Sequence, residues 1–217
     1  MNIALIEYGA GNLPSVERAL TRLGVESRRA STPEALADCD ALILPGVGHF
    51  GALMRSLGER SLVTPLREAV SRGVPLLGIC LGLQAMFATS DEAPGDTGLN
   101  LFPQNVSALP PTDRLPHMGW NQLRRVRPSK LLEGVPQDSY FYFAHSYAAL
   151  DAGAAGVAFC DHSASFVAVL EQGNVFATQF HPEKSGPIGA KVLSNFVRHT
   201  GGNRQGDDLG EALGGKR

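Results

Sequence analysis

Three segments of this 217-residue sequence hold residues whose types and spacing can do chemistry. In GICLG, Cys80 stands between Gly78 and Gly82 where an apolar run passes into a helical one. The pattern G-x-C-x-G is the cysteine counterpart of a nucleophile elbow. A sharp strand-to-helix turn lifts the side chain above the carboxyl edge of a parallel sheet, where such sheets place their ligands. Small neighbours give the turn room, and the N-terminus of the following helix would favour a thiolate. The same five residues also fit a buried, inert cysteine. In QFHPEKS, His181 and Glu183 follow an apolar strand. Pro182 stiffens the turn and disfavours a helix there. Alternate residues of such a turn converge, so Glu183 can orient an imidazole that faces Cys80. Taken alone, HPE equally describes two solvated polar residues at a strand end. In PGVGHFG, Pro45–Gly51, the glycines let backbone N–H groups turn toward a ligand, and the N–H of Leu81 would complete an oxyanion pair. The plain alternative is a tight loop.

These segments need elements to position them. Asn2–Tyr8, Val25–Ala30, Ala41–Leu44 and Pro75–Cys80 read as buried strands. Between them, Leu13, Val16, Leu20 and Leu23 recur at helical spacing behind Asn12, a plausible N-cap, and a second helix fills much of Leu53–Ser71. A further helix begins over Leu83–Ala88. Strands alternating with helices call for a parallel sheet with right-handed crossovers. From His117 to Thr178 the reading changes to strands punctuated by Gly, Asn and Asp, which suggests hairpins, and a last helix spans roughly Pro187–His199. Residues 1–200 are expected to form one domain, and the Gly-rich, polar stretch 201–217 a disordered tail.

Composition excludes several classes. A formal net charge of −2 without a dense Lys/Arg stripe gives nucleic acid no electrostatic footprint. The longest apolar stretches are strand-sized, which argues against a membrane span, and the N-terminus does not read as a signal peptide. Three widely spaced cysteines, Cys39, Cys80 and Cys160, suit a reduced, cytoplasmic protein. No CxxC or HExxH is found, so neither a metal nor another cofactor is expected. YGAGN begins like a dinucleotide fingerprint, but Pro14 occupies the third glycine position and no acidic residue clearly closes a second strand nearby.

GICLGLQ with a downstream HPE resembles the class I (triad) glutamine amidotransferases. That resemblance implies a three-layer α/β fold, an open, mostly parallel sheet with flanking helices and an antiparallel strand extension. It also implies L-glutamine as substrate, Cys80 as nucleophile, His181 as base and acid, and Glu183 as its orienting carboxylate. YGAGNLPSV, LPGVGHFG, LPHMGWNQL, FAHSY and QFHPEKS narrow the likeness to the glutaminase subunit of imidazole glycerol phosphate synthase; HMGWN and PGVG set it apart from other glutaminases. Such a subunit forms a heterodimer with a (β/α)8-barrel synthase that receives the ammonia. By position, Val47, Gly48 and Leu81 match the oxyanion segment and Gly82 and Gln84 the glutamine pocket. Met118 and Gly119 match the substrate side of the interface, while Asn12, Trp120, Tyr147 and Lys184 match residues facing the synthase. His145 and Ser146 have weaker claims; His49, His117, His162 and His199 are assigned to structure or solvent. Asn100 and Gln104 stand where relatives usually carry glycine, which bears on the local turn and not on the chemistry. The alternatives are the glutaminase of another amidotransferase and a free-standing cysteine hydrolase.

Overall fold

The computed structural model describes residues 1–201. The predicted tail therefore lies outside the described residues, apart from its first. The first half alternates β1 (Ile3–Ile6), α1 (Leu13–Arg22), β2 (Ser27–Ala30), β3 (Ala41–Gly46), α2 (Phe50–Glu59), α3 (Val63–Ser71), β4 (Leu76–Cys80) and α4 (Leu81–Gln84). Strands then dominate: β5 (Phe87–Ser90), β6 (Phe102–Ala108), β7 (His117–Gln122), β8 (Arg124–Arg125), β9 (Tyr140–His145), β10 (Tyr147–Ala149), β11 (Gly156–His162), β12 (Ala164–Gln172) and β13 (Val175–Thr178). Helix α5 (Gly186–Gly201) closes the described chain.

The main sheet has the order β2-β1-β3-β4-β13-β12-β11-β8. Its first five strands run parallel, and β12, β11 and β8 extend it antiparallel. The period-two alternation of buried strands explains the layers. Ala4, Ile6, Leu42 and Leu44 pack with Leu53, Leu57 and Leu66 of α2 and α3 on one face. Ile3, Leu5, Ile43, Leu77 and Ile79 pack with Leu13, Val16 and Leu20 of α1 and with Val192, Leu193 and Phe196 of α5 on the other. The result is the expected open, mostly parallel sheet with flanking helices and an antiparallel extension. A three-stranded sheet, β10-β6-β5, and a two-stranded ribbon, β7-β9, complete the architecture. Among the described residues, no helix is long and apolar enough to cross a membrane.

Several local expectations are corrected. The helix read over Leu53–Ser71 is two helices, interrupted where Ser61 turns to a φ of 55°. Asn12 precedes α1, but its side chain makes no capping bond; Pro14 supplies the fixed φ of the first turn instead. The helix read over Leu83–Ala88 is absent beyond Gln84, and Phe87 instead begins β5, paired in parallel with β6. Every residue from Leu81 to Phe87 is buried, so no polar face marks a helical period to separate helix from strand. Asn100 takes a φ of 49°, a left-handed conformation that Asn tolerates better than most residues.

Candidate active site

Cys80 ends β4 at the carboxyl edge of the sheet, with a φ of 54° and a ψ of −109°. A non-glycine residue rarely holds that conformation, and such strain persists only where packing imposes it. The packing here is glycine against backbone. A Cβ on Gly82 would collide with the Leu44 carbonyl of β3, and one on Gly46 with the backbone of Leu81 and Gly82. The two glycines therefore let the elbow sit directly on the end of β3, beside the 47–49 loop. The helix behind the cysteine has only four residues, so the helix-terminus field expected there shrinks to that of one turn.

The second segment arrives from β13. His181 N–H donates to Tyr142 O (2.9 Å), Ser185 Oγ donates to His181 O (2.7 Å), and Tyr142 N–H donates to Ser185 Oγ (3.0 Å), which staples this segment to β9. Within the 3₁₀ turn Pro182–Lys184, Glu183 Oε1 lies 2.8 Å from His181 Nδ1, with both side chains almost wholly buried. That contact leaves Nε2 of the ring for Cys80. Burial opposes the imidazolium, but Cys80 and Glu183 together overcome it and raise His181 to about 10. Among the described residues, the second carboxylate oxygen of Glu183 is buried without a partner.

Cys80 and His181 line one pocket of about 230 Å³, with Val47, Gly48, Leu81, Gln84, Glu92, Ala144, His145, Ser146, Tyr147 and Lys184. Val47 is exposed on the loop, and its N–H is taken by the hydroxyl of buried Tyr8 (3.4 Å). Gln84 is buried and donates through Nε2 to Tyr147 O (2.7 Å) and to Gln179 Oε1 (3.2 Å). His145 Nδ1 lies 3.0 Å from the same Tyr147 carbonyl; a carbonyl only accepts, so Nδ1 carries the proton, while Nε2 lies 3.1 Å from His117 Nδ1. A larger recess of about 310 Å³ beside α2 and α3 is lined by Arg55, Arg67 and Asp96. Its two guanidiniums are committed, Arg55 to Asp96 and Arg67 to the carbonyls of Gly98 and Leu99, and no Cys or His lines it.

Other sequence candidates fall elsewhere. Gly82 is buried and does not line the pocket. Met118 and Gly119 stand outside it on β7, where Met118 is 65% and Trp120 52% exposed. Asn12 is half-buried at the start of α1. Tyr147 and the exposed Lys184 lie at the pocket, and Lys184 Nζ sits 5.6 Å over the Tyr142 ring. His49 caps α2 by accepting from Gly51 N–H (3.1 Å). His117 stacks on His162, with ring centres 4.0 Å apart, and His199 meets Glu133 at 2.9 Å. Among the described residues, no group of three or more His, Cys, Asp or Glu is placed to hold a metal ion.

Glu92 on the pocket wall and Gln179 behind Cys80 escaped the sequence reading. Glu92 is the carboxylate of the pocket wall, and its Oε2 accepts Phe50 N–H (2.7 Å) at the start of α2. Gln179 is wholly buried and places Nε2 3.6 Å from Cys80 Sγ. Neither stands in a spacing that signals its partner; only QFHPE, which begins with Gln179, offered a hint.

The family model for glutamine amidotransferase class-I matches residues 4–200. The imidazole glycerol phosphate synthase subunit HisH of Methanothermobacter thermautotrophicus is 48% identical over 195 residues, which cover 90% of this chain and 97% of that protein. The subunit HisH of Moorella thermoacetica is 46% identical over 203 residues, covering 92% and 97%. A solved structure of a glutamine amidotransferase superposes with a TM-score of 0.74 at 21% identity, covering 91% of this chain and 98% of that one. The structure of PurLQS from Thermotoga maritima superposes with a TM-score of 0.72 at 18% identity, covering 91% and 98%. The solved structures bear on the fold, whereas the family match and the HisH identities reach further: the chain belongs to the class-I glutamine amidotransferases, within the family of the HisH subunits.

Proposed function

We propose that the chain is the glutaminase subunit of an imidazole glycerol phosphate synthase and releases ammonia from L-glutamine for a barrel synthase partner. The observation that carries this reading is one pocket that joins Cys80 and His181, with Glu183 on the far nitrogen of the imidazole, in a chain 48% identical to a HisH subunit. On this reading residues 1–200 act as one amidotransferase domain.

The chemistry follows from the charges. Glu92, on the pocket wall, is the natural partner for the α-ammonium of glutamine. The Cys80 thiolate attacks the side-chain amide carbon, and the carbonyl π electrons move onto oxygen. His181, cationic between Cys80 and Glu183, gives its Nε2 proton to the departing nitrogen, so ammonia leaves and a glutamyl thioester remains. The neutral imidazole then takes a proton from water, whose oxygen attacks the thioester; the products are glutamate and the restored thiolate–imidazolium pair. The oxyanion needs donors at the moment it forms. Leu81 N–H sits at the elbow, while Val47 N–H is engaged by Tyr8. For Val47 N–H to serve as a second donor, it must leave that hydroxyl. This supports weak hydrolysis by the isolated chain and stimulation once the synthase and its nucleotide ligand are bound.

Cys80→Ser tests the reading. In the complex with the synthase, glutamine-dependent synthesis should fall by about a thousandfold or more, as when other nucleophiles are removed, while synthesis from added ammonia persists. Retention of glutamine-dependent synthesis would remove Cys80 from the mechanism, and turnover of amides other than glutamine by the parent chain would point to a free-standing hydrolase.

A further inference from the structure

We propose that Gln179 is a catalytic residue of this chain: its carboxamide donates a hydrogen bond to Cys80 Sγ and holds the sulfur as the attacking thiolate. The inference rests on the glutaminase reading above for its reaction, but on geometry alone for the contact.

The neighbours of the Gln179 amide decide which of its ends faces the sulfur. The Tyr147 carbonyl can only accept, so the Gln84 carboxamide must present Nε2 to it at 2.7 Å. The other hydrogen of the same Nε2 reaches Gln179, 3.2 Å away. If Gln179 were turned over, two NH₂ groups would face each other, so its Oε1 faces Gln84 and its Nε2 faces Cys80 Sγ at 3.6 Å. His145, through Nδ1–H, occupies the Tyr147 carbonyl from a second side and keeps it fixed. Gln84 Nε2 thus donates to both Tyr147 O and Gln179 Oε1, and Gln179 Nε2 donates onward to Cys80 Sγ.

The contact matters because the sulfur has a competing partner. The Ala144 carbonyl lies 3.9 Å from Sγ and accepts from the protonated thiol, which favours the un-ionised form. An N–H donor favours the anion, since a thiolate accepts a hydrogen bond far better than a thiol. With α4 only one turn long, Gln179 supplies a directional donor that the helix terminus does not. Gln179 is fully buried, so water cannot replace it.

The test measures the rate of Cys80 alkylation by iodoacetamide against pH, read by mass spectrometry on the peptide that contains residue 80, in the full chain and in Gln179→Met, Gln84→Met and the double variant. In Gln179→Met the midpoint of the profile should move up by about one unit, the scale of a lost hydrogen bond to a charged group. Glutamine kcat should fall by about tenfold with KM within about threefold. Gln84→Met, which frees the amide to turn, should shift the midpoint in the same direction by less, and the double variant no further than Gln179→Met. If Gln179→Met does not fold, the side-chain amide resonance of Gln179 in the unaltered chain should titrate with the alkylation midpoint and lose that response in Cys80→Ala. An unmoved midpoint in Gln179→Met, or an unresponsive resonance, would overturn the proposal and leave Gln179 a packing residue. Loss of the glutaminase reading shows differently: the parent chain with its synthase would release no ammonia from glutamine, whatever the alkylation profile.

Discussion

His145 shows how far burial can set the state of a titratable group at this pocket. Removal from water, reinforced by His117, His162 and His181 nearby, lowers its pKa from an ordinary 6.5 to about 3, against the opposing bond to the Tyr147 carbonyl. The ring stays neutral wherever the enzyme is expected to work, and its Nδ1–H stays on that carbonyl. The unfolded chain binds a proton at residue 145 near pH 6.5 and the folded chain only near pH 3, so this residue costs stability as the pH falls through that interval. His181 has the opposite sign: raised to about 10, it contributes stability that is complete below pH 6.5 and lost as the pH climbs toward 10. Urea unfolding at stepped pH should therefore show a shallower acid decline in His145→Asn than in the parent chain, with the carboxylates common to both cancelling in the difference. Equal slopes would mean that His145 ionises freely in the folded state. His181 and Glu183 were legible in the sequence because partners two positions apart in HPE meet within one turn, and Cys80 because G-x-C-x-G marks a strand-to-helix elbow. Gln179 touches a sulfur 99 positions away, and Glu92 touches Phe50 N–H across 42, so no local spacing announces either contact.

At the scale of elements, the 47–49 loop is the part of the pocket with a choice of partners. Its entry is locked, because Gly46 and Gly82 press β3 and the elbow together, whereas Val47 and Gly48 beyond it are exposed. Tyr8, at the end of the β1 segment, is 2% exposed and holds Val47 N–H through its hydroxyl. Burial pushes that hydroxyl up to about 12, so it remains a neutral phenol at any working pH. A neutral bond of this kind is worth about 0.5–1.5 kcal/mol net. Tyr8→Phe should accordingly raise the glutamine hydrolysis rate of the isolated chain by about two- to tenfold and reduce the further stimulation by the synthase. Steady-state ammonia release with and without the partner measures both, and an unchanged or slower isolated chain would show that Tyr8 does not hold the loop back. The strands β1, β3 and β4 were legible in the sequence because continuous apolar runs of four to six residues between turn signals have few other interpretations. The segment after Cys80 was not, because Leu83, Met86 and Phe87 are buried on every side. An apolar run with no solvent face carries no period, and β5 forms there only because β6, from beyond residue 100, lies beside it.

For the whole molecule, the question is what the β7–β9 ribbon is for. Its residues alternate: His117, Phe141, Phe143 and His145 face inward, and Met118, Trp120 and Tyr140 face out at 65%, 52% and 53% exposure. Three large side chains on one face, with Tyr142 edge-on to Trp120 at 5.8 Å and Lys184 above Tyr142, make an apolar patch with a basic rim. The patch adjoins the pocket through Ala144 and His181, so a synthase seated there would receive ammonia where it is released. Because Trp120 is half exposed and meets the edge of the Tyr142 ring, its removal should cost the free chain little. In an interface core the same side chain is the kind that carries binding energy. Trp120→Ala should therefore leave the midpoint of thermal unfolding within about 2 °C of the parent, as for a surface change below about 0.5 kcal/mol. It should weaken association with the synthase by about 2 kcal/mol, or about thirtyfold in Kd by calorimetry. If Kd is unchanged while the unfolding midpoint drops, Trp120 belongs to the chain's own packing and the synthase must dock elsewhere.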